Sequence, residues 1–186
     1  MNKTFNSKAT KAVFRNIWKP DKGVVIRDLD KNLFPFQFFS TTHKEFVLNE
    51  GPWAFDGKIL LLQEINGSEI PSKVEFKIGQ FWVKAYDLPA KKQTMAFAQC
   101  LAKQLGSFVS CEDSTMFGVD KALCFRVDID VTKPLHRGVN VMGANGLVWV
   151  KVKYVELPDF CYGSGKLGHV LKSCNIVDPY AAEEDI

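Results

Sequence analysis

Residues 125–132 read Phe-Arg-Val-Asp-Ile-Asp-Val-Thr, so apolar and polar residues alternate without interruption. A strict period of two is typical of a β-strand that buries one face in a core and turns the other to water. We therefore predict a strand whose apolar residues form part of a core. The residues predicted to face solvent are Arg126, Asp128, Asp130 and Thr132.

The flanking sequence predicts the remainder of an α+β layer. Apolar residues recur at helical spacing from Met95 to Leu105, and Gly106 follows as a terminator. Residues 76–85 predict a strand, and alternation over 148–155 predicts another, joined through the turn residues 143–146 to Val139 and Val141. The second half is thus expected to be a helix on a mostly antiparallel sheet.

The first half carries a similar mixture of elements. The pattern predicts a helix that starts near Ala9 and ends before Pro20, a hairpin of 23–29 with 33–39, a helix over 42–48 and a strand over 54–65. Burial logic places the aromatic rings of Phe34, Phe36 and Phe38 in the core rather than on a base-stacking surface. Turn residues at 66–72 indicate a boundary between two α+β subdomains.

Composition narrows the functional class. The chain has 186 residues with 46% hydrophobic and 24% charged residues, as in soluble globular proteins, and its longest aliphatic run, Ile59 to Leu62, is too short to span a membrane. Five cysteines without a dense spacing argue against a disulfide framework. We expect a protein of the nucleus or cytoplasm that has no membrane partner. The basic start of the chain also fits a mitochondrial presequence, which is the less favoured alternative.

The segment 160–174 carries the chemistry. Cys161, Ser164, His169 and Cys174 are spaced as C-x2-S-x4-H-x4-C, which is a zinc knuckle with serine in place of one cysteine. Zinc prefers thiolate and imidazole donors in a tetrahedron, so three ligands are present and water would complete the set. Tyr162 and Leu167 are expected to expose an aromatic and an apolar group for base stacking, and Lys166 and Lys172 to meet phosphates.

Several short motifs, together with the knuckle, resemble the plant family termed domain of unknown function 4283. They are Phe-Pro-Phe-Gln-Phe at 34–38, Glu-Gly-Pro-Trp-Ala-Phe-Asp at 50–56, Phe-Trp-Val at 81–83 with Leu-Pro at 88–89, Lys-Pro-Leu-His-Arg-Gly at 133–138 and Lys-Tyr-Val-Glu-Leu-Pro at 153–158. That family resembles the RNA-binding first open-reading-frame proteins of plant LINE-type retrotransposons. The resemblance implies an RRM-like, ferredoxin-like sheet ahead of a C-x2-C-x4-H-x4-C knuckle, and nucleic-acid binding without catalysis.

Two departures from the family suggest a decayed or truncated copy. Ser164 replaces a cysteine ligand, and the leading strand of the RRM-like sheet is missing. The expected organisation is a truncated RRM-like subdomain at 1–66, a second α+β subdomain at 67–158, a degenerate knuckle at 159–174 and a disordered acidic tail at 175–186. Because the first sheet would lack one member, we expect self-association through its exposed edge.

A second group of candidate binding residues precedes the knuckle. Trp149, Lys151 and Lys153 share one outward strand face, a basic and aromatic mixture suited to a nucleic-acid strand. The alternative is that these lysines pair across strands with Asp128 and Asp130. Both interpretations stay open on sequence alone.

The leading functional prediction is a non-enzymatic, retroelement-derived protein that binds RNA or single-stranded DNA. The sequence contains no P-loop, G-x-S-x-G, G-x-G-x-x-G or paired-carboxylate motif. The alternative is a protein-interaction or inert structural remnant without zinc or nucleic acid.

Overall fold

The computed structural model describes residues 5–112, 122–143 and 146–176. Within these ranges the α-helices are α1 (Ser7–Trp18), α2 (Thr41–Asn49) and α3 (Met95–Leu105). The strands are β1 (Val24–Ile26), β2 (Phe36–Phe38), β3 (Trp53–Phe55), β4 (Lys58–Leu60), β5 (Ile78–Tyr86), β6 (Ser107–Cys111), β7 (Ala122–Asp130), β8 (Gly138–Gly143) and β9 (Gly146–Tyr154). The predicted α+β class is confirmed.

Helix α1 begins and ends as its sequence requires. The side chain of Asn6 caps it by accepting a hydrogen bond from the backbone N–H of Ala9 at 3.2 Å. Lys19 adopts a left-handed conformation and ends the helix with a bond to the Arg15 carbonyl. One turn apart on the inner face, Phe14 and Trp18 are buried and stack with ring centroids 4.9 Å apart.

The predicted hairpin of β1 and β2 is confirmed. The two strands are antiparallel, with Val24 opposite Phe38 and Ile26 opposite Phe36. The rings of Phe36 and Phe38 lie 5.1 and 5.8 Å from the indole of Trp18, so they face the core as predicted. Helix α2, capped by the Ser40 hydroxyl, adds Val47 to the same core.

The strand predicted over 54–65 is wrong, because the chain reverses within it. Asp56 and Gly57 both have positive φ, 49° and 73°, and form the tight turn of a hairpin between β3 and β4. Asp-Gly is a strong signal for such a turn. Beyond Leu60 the chain leaves the ladder. The first half therefore holds two separate two-stranded sheets, β1-β2 and β3-β4, instead of the single three-stranded sheet expected.

The second half forms an antiparallel five-stranded sheet in the order β6-β7-β5-β9-β8. Helix α3 packs on one face of it, which we call the helix face. Residues 78–130 follow the order strand, helix, strand, strand of a ferredoxin-like fold, and the hairpin β8-β9 follows where that fold has its second helix. The helix-face core includes Phe81, Val83, Leu101, Phe125, Val127, Val150 and Val152.

The opposite side of the sheet, here called the outer face, is less open than predicted. The alternation places Arg126 in water, but this residue is only 5% exposed, and its guanidinium lies 5.5 Å from the ring centre of Trp82 on the neighbouring strand. Burial lowers the pKa of this arginine, with the charges of Glu50 and Asp128 opposing the shift. The ring of Trp82 covers the centre of the outer face. The periodicity of one strand could not show this, because Trp82 lies on another strand.

Strand β7 also ends earlier than its alternation suggested. Asp130 is its last residue, and its carboxylate accepts hydrogen bonds from the backbone N–H and the hydroxyl of Thr132 at 3.0 and 2.5 Å. These bonds and that from Lys133 lower the pKa of Asp130 to about 2. Thr132 therefore belongs to a turn.

Some predictions fall outside the described residues. These are the turn residues 144–145 and, from residue 177 onward, the predicted acidic tail. No helix in the described ranges has the length and apolar character needed to cross a membrane.

Candidate metal centre and nucleic-acid interface

Cys161, His169 and Cys174 come together as the spacing predicts. One ligand atom from each, a sulfur or an imidazole nitrogen, lies within 4.8 Å of the others. The backbone makes this possible by winding tightly: the N–H of Cys161 bonds to the carbonyl of Lys166 at 2.9 Å, and the N–H of Gly165 bonds to the carbonyl of Cys161 at 2.8 Å. Both cysteines are buried, so the thiols face inward.

Ser164 occupies the fourth corner of this cluster. Its backbone N–H points to the sulfur of Cys161 at 3.4 Å, and its hydroxyl lies 3.2 Å from Nε2 of His169. Two thiols and an imidazole are the donor types that zinc prefers, and this set fits the ion with one weak or water-filled position. A serine hydroxyl stays protonated near neutrality, so it cannot contribute the anionic bond of a thiolate.

The knuckle is docked on the rest of the protein. The N–H of Leu135 donates to the carbonyl of Gly165 at 2.7 Å, and the N–H of Asp159 donates to the carbonyl of Gly57 at 2.8 Å. Phe160 is buried in the helix-face core. The segment therefore has apolar and hydrogen-bonded support that does not depend on a metal.

The two residues predicted to display stacking groups behave differently. Tyr162 is 67% exposed, with its ring edge packed against Phe160 at 5.0 Å between centroids. Leu167 does not project into solvent as expected, because it pairs with Phe160 in an isolated bridge and packs against the helix-face core. Lys172 is exposed and Lys166 half-buried.

Strand β9 presents the other predicted group on the outer face. Val150 and Val152 are buried in the helix-face core, so the alternating Trp149, Lys151 and Lys153 point the other way and are exposed. Trp149 is 60% exposed, and its indole lies against Gly138 of β8 so closely that a Cβ there would collide with the ring. The glycine therefore makes room for the indole ring.

The strand order excludes the alternative pairing of the lysines with Asp128 and Asp130. Strand β5 lies between β7 and β9, so these residues are not cross-strand neighbours. Asp128 accepts a hydrogen bond from Gln80 at 2.8 Å, and Asp130 pairs with Lys133.

Sequence reasoning missed the contribution of β5 to the outer face. Lys84 stands directly opposite Lys153, two like charges side by side. The ammonium group of Lys153 lies 5.4 Å from the ring centre of Tyr86. The alternation of Trp82, Lys84 and Tyr86 with buried residues was the signal that could have revealed this set.

The two groups of candidate residues adjoin different sides of the sheet. Phe160 and Leu167 attach the knuckle to the helix-face core, whereas the β9 lysines and Trp149 lie on the outer face. A ligand strand that used both groups would have to pass around the sheet.

Residues 2–73 match the family model described as a domain of unknown function, DUF4283. This match supports the corresponding part of the predicted resemblance. The DUF4283 segment contains α1, α2 and both hairpins, and it ends before β5, so the five-stranded sheet and the knuckle lie beyond it. Comparisons with curated proteins and with solved structures gave no match.

Proposed function

We propose that this protein binds single-stranded nucleic acid, RNA or DNA, without catalysing a reaction on it. The observation that carries the proposal is the exposed indole of Trp149, packed against Gly138 beside the exposed Lys151 and Lys153. Single-strand binders combine aromatic stacking platforms with cations that follow the phosphates.

The charge on the outer face supports this proposal. Within the described part of the chain, Lys84, Lys151 and Lys153 form no ion pair with a carboxylate. Like charges directly opposite each other, such as Lys84 and Lys153, repel. A phosphate placed between them would turn that repulsion into attraction, and release of its counterions would add a salt-dependent gain.

The knuckle is proposed as a second contact. Cys161, His169 and Cys174 would hold zinc, with the exposed ring of Tyr162 available to a base and Lys166 and Lys172 near phosphates. Bound zinc would supply a structural cross-link and a positive charge. Because Ser164 lacks a thiolate, we expect weaker binding than in a four-ligand knuckle.

The lineage and location are part of the same proposal. The motif resemblance, to which the DUF4283 match in residues 2–73 adds support, is the ground for proposing descent from a plant LINE-type retrotransposon. Residence in the nucleus or cytoplasm is proposed from the cysteine usage of the sequence.

A binding titration tests the function. Labelled 20-nucleotide RNA and DNA strands of mixed sequence would be titrated with protein at a series of salt concentrations, and bound fractions read by fluorescence anisotropy. We expect the logarithm of the association constant to fall linearly with the logarithm of salt, by about 0.7 for each phosphate that the protein neutralises. Absence of saturable binding at low salt, or binding that is indifferent to salt, would overturn the proposal.

A further inference from the structure

A large cleft separates the two hairpins of the DUF4283 segment. Its volume is about 910 Å³, and most of its wall is apolar. Side chains of α1 and α2, including Phe14 and Val47, form its floor. None of the candidate residues for metal or nucleic acid lines it, so it requires an explanation of its own.

The walls of the cleft are strand edges. Residues 33–38 on one side and 58–65 on the other line the cleft without a gap. A strand that lined a cavity with one face would contribute only alternate residues, so consecutive residues indicate that the backbone edge is presented. Each wall strand has one partner, β1 for β2 and β3 for β4, and of these two partner strands only Phe55 of β3 lines the cleft.

One wall carries backbone groups outside any ladder, of which the carbonyl of Glu64 accepts a hydrogen bond from the side-chain amide of Gln63 at 3.2 Å. Residues 61–65 form no backbone-to-backbone hydrogen bond with any described residue, and the ladder between β3 and β4 stops at Leu60. Peptide groups in such a position are a template for another strand.

The dimensions fit one strand. A six-residue strand is about 20 Å long, about 4.8 Å wide in the hydrogen-bonding direction and about 10 Å thick, which gives a volume of roughly 960 Å³. The cleft volume of about 910 Å³ matches this value. A strand here would join β1-β2 to β3-β4 in one five-stranded sheet backed by α1 and α2.

Both edges line the same cleft, and this selects the kind of occupant. The free edge of a folded sheet in a second copy has one side already paired, so it could satisfy only one wall. A single extended segment with both edges free could satisfy both. The sequence led us to expect a sheet edge open to self-association in this half of the chain, and the edges found there line the cleft.

Charges at the cleft indicate an uncharged segment. Lys44 is paired with Glu64 and Lys58 with Asp159, each at 2.6 Å, and the remaining lysine of the lining, Lys31, directly follows Asp30, so positive and negative charges at the cleft balance. Phosphates and acidic side chains would gain little there, whereas apolar side chains would reach Phe36, Phe38 and Leu60.

We propose that this cleft binds one extended, uncharged and apolar peptide segment of another polypeptide, by β-strand addition between residues 33–38 and 60–65. Main-chain hydrogen bonds to both walls supply affinity, and alternate side chains entering the core above Phe14 and Val47 supply selectivity. This proposal does not depend on nucleic-acid binding.

The test uses the full chain and a panel of acetylated, amidated heptapeptides in which valine, isoleucine or phenylalanine alternates with threonine. Binding is measured by calorimetry, and hydrogen exchange of residues 33–38 and 60–65 is followed by mass spectrometry. We expect saturable binding of at least one peptide, with slowed exchange in both walls. The same peptide N-methylated at alternate residues should bind at least about tenfold more weakly, since one edge loses its donors.

A protein variant separates edge pairing from general apolar adhesion. Gln63→Pro removes one backbone N–H from an exposed position outside any helix or strand and should weaken peptide binding about tenfold, whereas Gln63→Ala should leave it unchanged. Circular dichroism checks that both variants fold. Equal affinity of the methylated and unmethylated peptides, or no saturable binding across the panel, would overturn the proposal. A dimer that protects both walls and excludes peptide would assign the cleft to a second copy and would also overturn it.

Discussion

The ammonium group of Lys58 donates to the carboxylate of Asp159 at 2.6 Å and, from the same nitrogen, to the carbonyl of Gly168 at 2.8 Å. Lys58 begins β4, directly after the tight turn at Gly57, and Asp159 opens the knuckle. A residue of the DUF4283 segment thus holds a segment about 100 residues later in the chain. Folding of the first half and order in the knuckle are therefore expected to be coupled.

Lys58→Met tests that coupling. Both side chains are about one-third exposed, so solvent screening limits the interaction, and we expect a loss of about 1 kcal/mol in the free energy of unfolding. Hydrogen exchange over 159–169 should accelerate. Lys77→Met is the matched control, because the Lys77–Glu75 pair is far more exposed. Equal effects in the two variants would show that Lys58 does not anchor the knuckle.

Ser164→Cys should raise zinc affinity by at least about a hundredfold. The substitution supplies the thiolate of the second cysteine, which is the one ligand missing from the C-x2-C-x4-H-x4-C set. Competition against a chromophoric chelator measures the change. Ser173→Cys, which adds a thiol at the exposed neighbour of Cys174, controls for nonspecific metal uptake. Identical affinities in wild type and Ser164→Cys would mean that Cys161, His169 and Cys174 do not form a zinc site.

Gly138→Ala should displace the indole of Trp149, because the new Cβ collides with the ring while the strand backbone accepts alanine. We expect nucleic-acid binding to weaken by about 1 to 3 kcal/mol, with the salt slope unchanged, since stacking is not ionic. Anisotropy titrations at two salt concentrations measure both quantities. Met142→Ala, an exposed change on the same strand, should have no effect. Unaltered binding in Gly138→Ala would remove Trp149 from the proposed interface.

The double substitution Lys151→Ala with Lys153→Ala should weaken binding to strands of any sequence. For single strands the salt slope should flatten by about 1.4, or about 0.7 for each phosphate that is no longer neutralised. Lys91→Ala with Lys103→Ala removes the same charge from exposed positions before and within α3, and serves as the control. If the two double variants bind equally, the interface would have to be sought on α1 around Lys11 and Arg15.

Asp130→Asn should show a pH-dependent loss of stability. The hydrogen bonds from Thr132 and Lys133 hold the folded pKa at about 2, below the value of about 3.9 for an unfolded chain. The carboxylate therefore stabilises the fold above about pH 4, and this contribution disappears as the pH falls toward 2. Urea unfolding of both proteins at about pH 6, 4 and 2.5 should show a difference that shrinks with acidity. A difference independent of pH would contradict this account.

Local patterns in the sequence were sufficient to predict those helices and strands whose formation depends on their own residues alone. The capped helix ending at Trp18, the helix from Met95 and the alternating strand around Phe125 all follow from periodicity and terminators. The proximity of Cys161, His169 and Cys174 also follows from spacing, because the three residues lie in one short loop.

Relations between distant elements were not accessible in the same way. Burial of Arg126 depends on Trp82 of a neighbouring strand, and the juxtaposition of the half-buried Lys84 with the exposed Lys153 depends on strand order. The sequence contains the Asp-Gly turn signal at Asp56 and Gly57, but the continuous aliphatic residues that follow it favoured the prediction of one long strand.

The hydrogen bond from Leu135 to Gly165 has a consequence for modularity. Zinc knuckles in general are short enough to be treated as independent units. Here the segment forms backbone hydrogen bonds with the β7–β8 loop and with the β3–β4 turn. An excised fragment of 159–174 would lose those partners and expose Phe160 and Leu167. These contacts support the loop without involving the side chain at position 164, so mutational drift there can occur without collapse of the surrounding architecture.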